Sequence, residues 1–414
     1  MSELAPTSPL IYLVAGEQSG DVLGGRLMQA LRLARPEVQF AGIGGPRMAE
    51  QGLVPLFPMQ DLAVMGLLEV LPRIRQLKRR LHQAAADVRA CRPDVLVTID
   101  SPGFTLRLLR LVADAGIRRV HYVAPQVWAW REHRVREFPG LWDRLLCLLP
   151  FEPDFFARHG LPATFVGHPV LQSGADRGDA ARFRAAHGLA NDAPVLVLMP
   201  GSRRSEVPRL LPVFGATLAL LAKRVPGLVP VLPVASAVAE TVRRAAAAWP
   251  VPPIIVTDLD DKHDAYAAAA AALTKSGTST LELALAGVPM AVTYRVNPLT
   301  AAIARRLIRV PHVAMVNLLA GQAVVPELLQ QDCRAAKLAA TVEHLLGDPA
   351  AAQAQRSAFR AVIARLAAPA GTPAAAAAAL EVLEVLGEVN KQGQGVALDP
   401  PRAHSAPSAR GGRA

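Results

Sequence analysis

Two doubly wound α/β domains of the Rossmann-like kind, facing each other across a cleft and followed by C-terminal helices, are the fold this sequence predicts. Three observations predict it. Short apolar runs recur along the chain, and many pass through a turn rich in Gly, Ser, Asp or Pro into a segment of helical periodicity, as parallel strands buried on both faces do. The alternation lapses in the polar, Ala-rich stretch 173–191, which reads as an inter-domain connection, and then restarts. The length, 414 residues, is more than one domain usually holds.

Taken in order, the first strand is expected at 10–15, running into Gly16-Glu17-Gln18-Ser19-Gly20-Asp21 and a helix to about Ala34. Strand, Gly-rich turn and helix open a nucleotide-binding half-domain, but there is no GxGxxG and no acidic residue ending a clear second strand, which argues against a dinucleotide-dependent dehydrogenase. Glu17, Ser19 and Asp21 fall at the carboxyl edge of the sheet, where ligands sit, or else cap the helix. Further strands are expected at 38–43, 94–99, 120–123, 145–149 and 164–167, and the third strand of this half delivers Asp100 at its carboxyl end. In the second half, strands are expected at 195–199, 228–234, 254–256 and 290–294, the first of them entering Pro200-Gly201-Ser202-Arg203. The chain reads as helices from Arg334 onward, and the Gly/Pro/Ser/Arg-rich tail after Asn390 reads as disordered. The boundaries that follow are 1–172 and 173–345 for the two domains, 346–389 for helices packing back toward the first, and 390–414 for the tail.

At 51% hydrophobic and 19% charged residues the chain can bury sizeable cores. No uncharged apolar run reaches the roughly 20 residues of a membrane helix, and the first nine residues lack the basic start of a signal peptide. Cys91, Cys147 and Cys333 are isolated, with no metal spacing, which suits a reducing cytoplasm and leads us to expect no metal and no cofactor. A net charge of +11 suits nucleic acid, anionic lipid or phosphorylated substrates. With only 5% aromatics and neither zinc-finger spacing nor an RNP motif, nucleic acid is the weakest of the three.

The stretch Leu273-Thr274-Lys275-Ser276-Gly277-Thr278-Ser279-Thr280-Leu281-Glu282 carries the strongest local signal. An Ala-rich, helix-like run precedes it. A short extended segment ending near Thr274, a turn at Ser276-Gly277 and a helix beginning at Thr278 or Ser279 would gather backbone N–H groups, hydroxyls and a positive dipole end, a setting for phosphate. Glu282, in the first turn, can accept hydrogen bonds from a ribose diol.

Together with Ala15-Gly-Glu-Gln-Ser-Gly-Asp21, Ile99-Asp-Ser-Pro102, Val127-Trp-Ala-Trp-Arg131, Phe165-Val-Gly-His-Pro169, Pro200-Gly-Ser-Arg203 and Asn317-Leu318, this stretch resembles the lipid-A-disaccharide synthase family, in order, from about Ile11 to Cys333. The resemblance implies the GT-B arrangement and an inverting, metal-independent glycosyltransferase. It implies UDP-2,3-diacylglucosamine as donor, 2,3-diacylglucosamine 1-phosphate (lipid X) as acceptor, and the β-1,6-linked disaccharide phosphate and UDP as products. Two places depart from the family pattern, Gly103 and Thr105 where Asp and Asn are usual, and Ala124 and Gln126 where Ser is usual.

Within that frame Asp100 is the candidate base and Glu17 the second choice. Arg203, Ser276, Gly277, Thr278, Ser279, Glu282 and Asn317 are the donor-side candidates, with Arg203 and the helix start stabilising the departing diphosphate. Asn317 equally suits a loop cap. Ser19 and Asp21 are acceptor-side. His168 reads as structural, and the tryptophans as core. A UDP-sugar 2-epimerase of the same architecture and a non-catalytic, basic nucleic-acid-binding protein are the alternative functions. Acylated substrates call for an anionic membrane surface, met peripherally at the inner face of the cytoplasmic membrane, and a homodimer is compatible with all of this. The segment 64–81 is the docking candidate: apolar Leu67, Leu68, Leu71, Ile74, Leu77 and Leu81 interleave with Arg73, Arg75, Lys78, Arg79 and Arg80, and Pro72 is expected to start the helix after an apolar loop.

Overall fold

The structure is a computed structural model that describes residues 8–62, 67–203, 206–297, 301 and 310–387, without side chains at 67–72. The tail after Asn390 and the first part of the apolar loop expected before Pro72 lie outside the described residues.

The first half supplies strands β1 (Leu10–Ala15), β2 (Gln39–Ile43), β3 (Val95–Ile99), β4 (Arg118–Tyr122), β5 (Arg144–Cys147) and β6 (Ala163–Phe165). The second supplies β7 (Val195–Met199), β8 (Val229–Pro233), β9 (Ile254–Val256), β10 (Ala269–Lys275), β11 (Met290–Tyr294) and β12 (Glu327–Leu329). All pair in parallel, in the orders β2-β1-β3-β4-β5-β6 and β12-β11-β10-β7-β8-β9. β1, β3 and β7 are buried almost throughout, which is why they read as unbroken apolar runs.

The crossovers are α1 (Gln18–Ala34), α2 (Pro46–Ala49), α3 (Leu67–Cys91), α4 (Pro102–Leu111) and α5 (Glu152–Ala157) in the first domain. The second has α6 (Ala180–Ala186), α7 (Val207–Leu221), α8 (Ser236–Ala246), α9 (Leu259–Ala268), α10 (Ser279–Leu285) and α11 (Met315–Ala320). Then come α12 (Ala335–Gly347), α13 (Pro349–Ala364) and α14 (Ala374–Val385).

Four sequence expectations need correction. The Ala-rich run before Leu273 is helix only to Ala268, and Ala269–Ala272 open the central strand β10. Alanine favours helix weakly, and burial between two layers overrides that preference here. The edge strand β12 pairs with β11 although nothing in its three residues announces it. The stretch 173–191 is not merely a connection: α6 seats Phe183, with no exposed surface, beneath β7 and α9. Helix α3 begins at Leu67, ahead of Pro72. A proline this near a helix start removes one ladder bond and need not end the helix. Downstream, Leu77 and Leu81 pack on the first-domain core, while Ile74 is exposed.

The C-terminal helices divide. α13 packs against α10 and α11 within the second domain, and α14 alone returns to the first, against α1. Its Ala378, Ala379, Val382 and Leu383 share one buried cluster with Ile11, Leu13, Val95, Val97 and Leu27. The chain therefore passes between domains twice. The passages run against each other where the His168 N–H donates to the Leu366 carbonyl at 2.9 Å. A Cβ on Gly167 would come within 2.8 Å of the Ala368 nitrogen, and its φ of +82° favours glycine in any case.

Leu383 is 4% exposed in that cluster. Leu383→Ala should therefore destabilise the chain by roughly 2–5 kcal/mol, read from the denaturant midpoint of the transition that unfolds the first domain. A loss well below this range would mean that α14 is only loosely attached.

Candidate active site between the two domains

Each sheet reverses its direction of growth once. In the first, β1 leads outward to β2 while β3 starts on the other side of β1. In the second, β7 leads to β8 and β9 while β10 starts on the other side of β7. At such a reversal neighbouring loops diverge and leave a crevice beyond the carboxyl ends of the strands. The register pairs Ala15 with Ile99 and Met199 with Thr274 at these edges. The loops that start there are Gly16-Glu17, Asp100-Ser101, Pro200 to Arg203, and Lys275 to Thr278. A cleft of about 670 Å³ opens between them, lined by Glu17, Ser19, Asp100, Arg203, Thr278 and Glu282 among others.

Asp100 is set by its backbone. Asp100 and Ser101 both take left-handed φ, +50° and +48°, and Val123 at the end of β4 takes +78°. Such conformations cost non-glycine residues of order 1–3 kcal/mol each and gather at functional sites. Here they are held in place. The Asp100 N–H donates to Tyr122 O at 2.9 Å, and the Thr105 hydroxyl donates to the carbonyls of Asp100 at 2.7 Å and Ser101 at 3.0 Å. Gly16 lies so close that a Cβ there would meet Ser101 Oγ at 2.8 Å. Thr105 thus has a structural part, and Gly103 faces open space.

Glu17 and Asp100 both have pKa values raised by burial, and for Glu17 the charge of Asp100 adds to the rise. The Arg203 guanidinium lowers both. The two carboxyls of one domain and the arginine of the other therefore share one electrostatic neighbourhood. Glu17 precedes α1 without capping it through its side chain, so its carboxylate is left for the cleft.

On the facing wall, Thr278 is the N-cap of α10 and Ser279 its first residue. The Ser276 hydroxyl instead donates to Val313 O at 2.8 Å, its N–H goes to Thr293 O, and Ser279 Oγ lies 3.4 Å from Thr274 Oγ1. Gly277 turns the chain between them. Glu282 reaches the cleft with Oε2 held by Lys262 Nζ at 3.0 Å and Tyr266 OH at 3.2 Å. Arg203 sits 3.4 Å from Glu206 Oε1, and Lys275 Nζ sits 3.1 Å from Glu206 Oε2, so one carboxylate holds two cations beside the cleft. Sequence reasoning missed Lys262, Tyr266, Glu206 and a role for Lys275. Lys275 stands inside a motif already noticed and Glu206 three residues beyond another; Lys262 and Tyr266, on the preceding helix, gave no signal.

Two candidates do not face the cleft. Asp21 is 2% exposed and accepts from the N–H groups of Gly45, Arg47 and Met48 at 2.8–3.1 Å, tying α2 to α1. Asn317 has no exposed surface. Its amide donates to Val325 O and Glu327 Oε1, and its oxygen accepts from the N–H groups of Val324 and Val325. It is the loop tie that its residue type also allowed, and it fixes the turn that brings Met315 to the cleft. His168 is buried as expected, its Nδ1 accepting from Val170 N–H, with a pKa lowered to about 4 by burial. Trp128 is packed edge-on against Phe151, but Trp130 is 42% exposed and lines the cleft.

Residues 11–379 match the family model described as lipid-A-disaccharide synthetase. The chain is 62% identical over 393 residues to a lipid-A-disaccharide synthase of Granulibacter bethesdensis, covering 92% of this chain and all of that protein. It is 64% identical over 379 residues to that of Gluconobacter oxydans, covering 92% and 91%. Among solved structures it is similar to a UDP-GlcNAc 2-epimerase from Neisseria meningitidis bound to UDP-GlcNAc, with a TM-score of 0.61, 13% identity and coverage of 91% and 99%. It is also similar to the calicheamicin glycosyltransferase CalG4, with a TM-score of 0.56, 18% identity and coverage of 93% and 100%. These two likenesses concern the fold alone.

The site makes its own pH prediction. Arg203→Ala removes the positive charge that lowers both carboxyls, so their pKa values rise further and the carboxylate form is lost sooner as pH falls. The acid limb of the kcat/KM profile should move to higher pH. A limb that does not move would separate Arg203 from the carboxyl pair. The family match over nearly the whole described chain selects among the functions the sequence left open, and the protein belongs to the lipid-A-disaccharide synthase family, glycosyltransferases of the GT-B fold.

Proposed function

We propose that the cleft joins its two substrates by a single in-line displacement with inversion and without a metal ion. The family's reaction condenses UDP-2,3-diacylglucosamine with lipid X. In the proposed step Asp100 takes the proton of the acceptor's primary hydroxyl as that oxygen bonds to the donor's anomeric carbon. The bond from that carbon to the UDP oxygen breaks, and its electron pair leaves with the diphosphate. Arg203, supported by Lys275 and by Thr278 at the start of α10, meets the charge that develops there. Glu282, oriented by Lys262 and Tyr266, accepts from the ribose diol of the donor. Glu17 and Ser19 stand on the acceptor side beside Asp100.

One observation carries this reading. Carboxyls at the reversal of one sheet and an arginine at the reversal of the other line the same cleft, near enough for Arg203 to perturb both. Burial favours Asp100 as base, because a desolvated carboxylate is a stronger base than a hydrated one. The strained loop that holds it is a second support. Asp100→Asn keeps shape and removes the base. It should lower turnover at least ~100-fold with UDP affinity little changed, measured by disaccharide formation and calorimetry. Near-normal turnover would pass the role to Glu17.

The same reading makes the enzyme peripheral at the inner membrane face, where both substrates keep their acyl chains. No described helix is long and apolar enough to cross a membrane. Arg73, Ile74, Arg75, Lys78 and Arg79 are exposed on α3. Arg80 is not available, since it pairs with Asp61 at 2.6 Å and lies over the Phe57 ring. A Leu67→Ser, Leu68→Ser, Lys78→Glu, Arg79→Glu variant should sediment less with anionic vesicles than the native chain. Equal sedimentation of the two folded proteins would sink this docking surface.

A further inference from the structure

The cleft's positive charge is unevenly divided. Arg26, Arg131, Arg134 and Arg203 all line it. Arg26 is committed to structure, donating to the carbonyls of Pro169 at 3.3 Å and Gln172 at 3.0 Å, where the first passage between domains begins. Arg203 belongs to the second domain and to Glu206. Arg131 and Arg134 stand together on the first-domain wall, on the short 3-10 turns that follow β4.

Their presentation is specific. The Arg131 guanidinium lies over the Trp130 indole, 3.9 Å from the ring centroid, and among the described residues it is paired with no carboxylate. Stacking fixes the guanidinium plane and leaves its N–H edge for a bidentate anion. Among the described residues Arg134 pairs with Glu137, at 3.3 Å, and that carboxylate is shared with Arg110. The support beneath is rigid. Glu152, 2% exposed, accepts from Trp128 Nε1 at 3.1 Å and from the Leu148 and Leu149 N–H groups at 3.2 and 3.0 Å.

Lipid X carries a phosphomonoester at C1 and reacts through the hydroxyl on C6; C1 and C5, which bears C6, flank the ring oxygen, so the phosphate stands within one sugar's width of the reacting hydroxyl. With the hydroxyl at Asp100, beyond β3, the phosphate end extends along the same wall. β4 is the strand beside β3, and its loop carries the two arginines. The donor's diphosphate lies on the other wall with Arg203. We propose that Arg131 and Arg134 form the subsite for the acceptor's phosphomonoester and make the enzyme distinguish a phosphorylated acceptor from an unphosphorylated one. The inference rests on the assignment of the Asp100 wall to the acceptor.

The test compares the native chain, Arg131→Gln, Arg134→Gln and Arg131→Lys, each assayed in detergent micelles with lipid X and with the same diacylglucosamine lacking phosphate. UDP affinity is measured alongside as the check on fold and donor site. The native enzyme should show a KM roughly 10- to 100-fold lower for the phosphorylated acceptor. Each Gln variant should lose about tenfold of that preference, with the phosphate-free KM and UDP affinity within about twofold of native, and Lys should lose less than Gln because it keeps the charge without the fork. A native enzyme indifferent to the phosphate, or Gln variants that keep the preference, would overturn the subsite. So would a loss of UDP affinity, which would give these arginines to the donor. If Asp100→Asn retains turnover while the Gln variants lose the preference, the choice of base falls and the subsite stands; the reverse pair of results removes the subsite alone.

Discussion

A strand followed by a helix and a parallel strand must cross over on one side of the sheet, and the crossover has a fixed hand. A chain that builds outward in one direction and then resumes on the other side of its first strand leaves a gap between two loops that diverge. The position of the cleft between the two domains follows from that constraint, met twice. The reversal between β1 and β3 sets Glu17 beside Asp100, and the reversal between β7 and β10 sets Arg203 beside Lys275 and Thr278.

Local strain then refines what topology roughly places. Two consecutive left-handed residues, Asp100 and Ser101, lift the chain away from the β3 direction as it leaves the sheet. The cost is offset by Thr105, whose hydroxyl reaches both strained carbonyls, and by the absence of a side chain at Gly16. This accounts for one departure from the family pattern. A threonine at 105 can hold the turn from within α4, so the turn does not depend on an asparagine there. At 103 a glycine meets nothing, and a larger residue would point into open space.

Much of this was legible in the sequence because the central strands are sandwiched between helices and must be apolar along their whole length. Val95–Ile99 and Val195–Met199 could hardly be anything else. Ala269–Ala272 misled because alanine's local preference is helical, whereas its place in β10 is decided by layers that only the folded chain brings together. Placement at the cleft was legible where a motif followed a strand end, as at Asp100 and Arg203, and one helical turn further on at Glu282. It was illegible where polar side chains serve the backbone. Asp21 and Asn317 look like ligands by type and company, but each spends its hydrogen bonds on neighbouring N–H and C=O groups. Lys262 and Tyr266 were hidden for the converse reason, since a helix face says nothing about which distant carboxylate it will steady.

The double passage between the domains has a mechanical meaning. A single tether would leave one domain free to twist as well as tilt against the other, and the mutual placement of the two walls of the cleft would wander with the twist. Here two passages of chain are pressed together at Gly167 and Ala368 and tied by the bond from His168 to Leu366, so each domain is held to the other by a pair of neighbouring strands of chain. Both ties lie within three residues of each other on each passage, so the two domains are joined at one place rather than at two distant ones. A joint of that kind sets the mutual alignment of the two walls from one side of the cleft and leaves the other side without a covalent tie among the described residues.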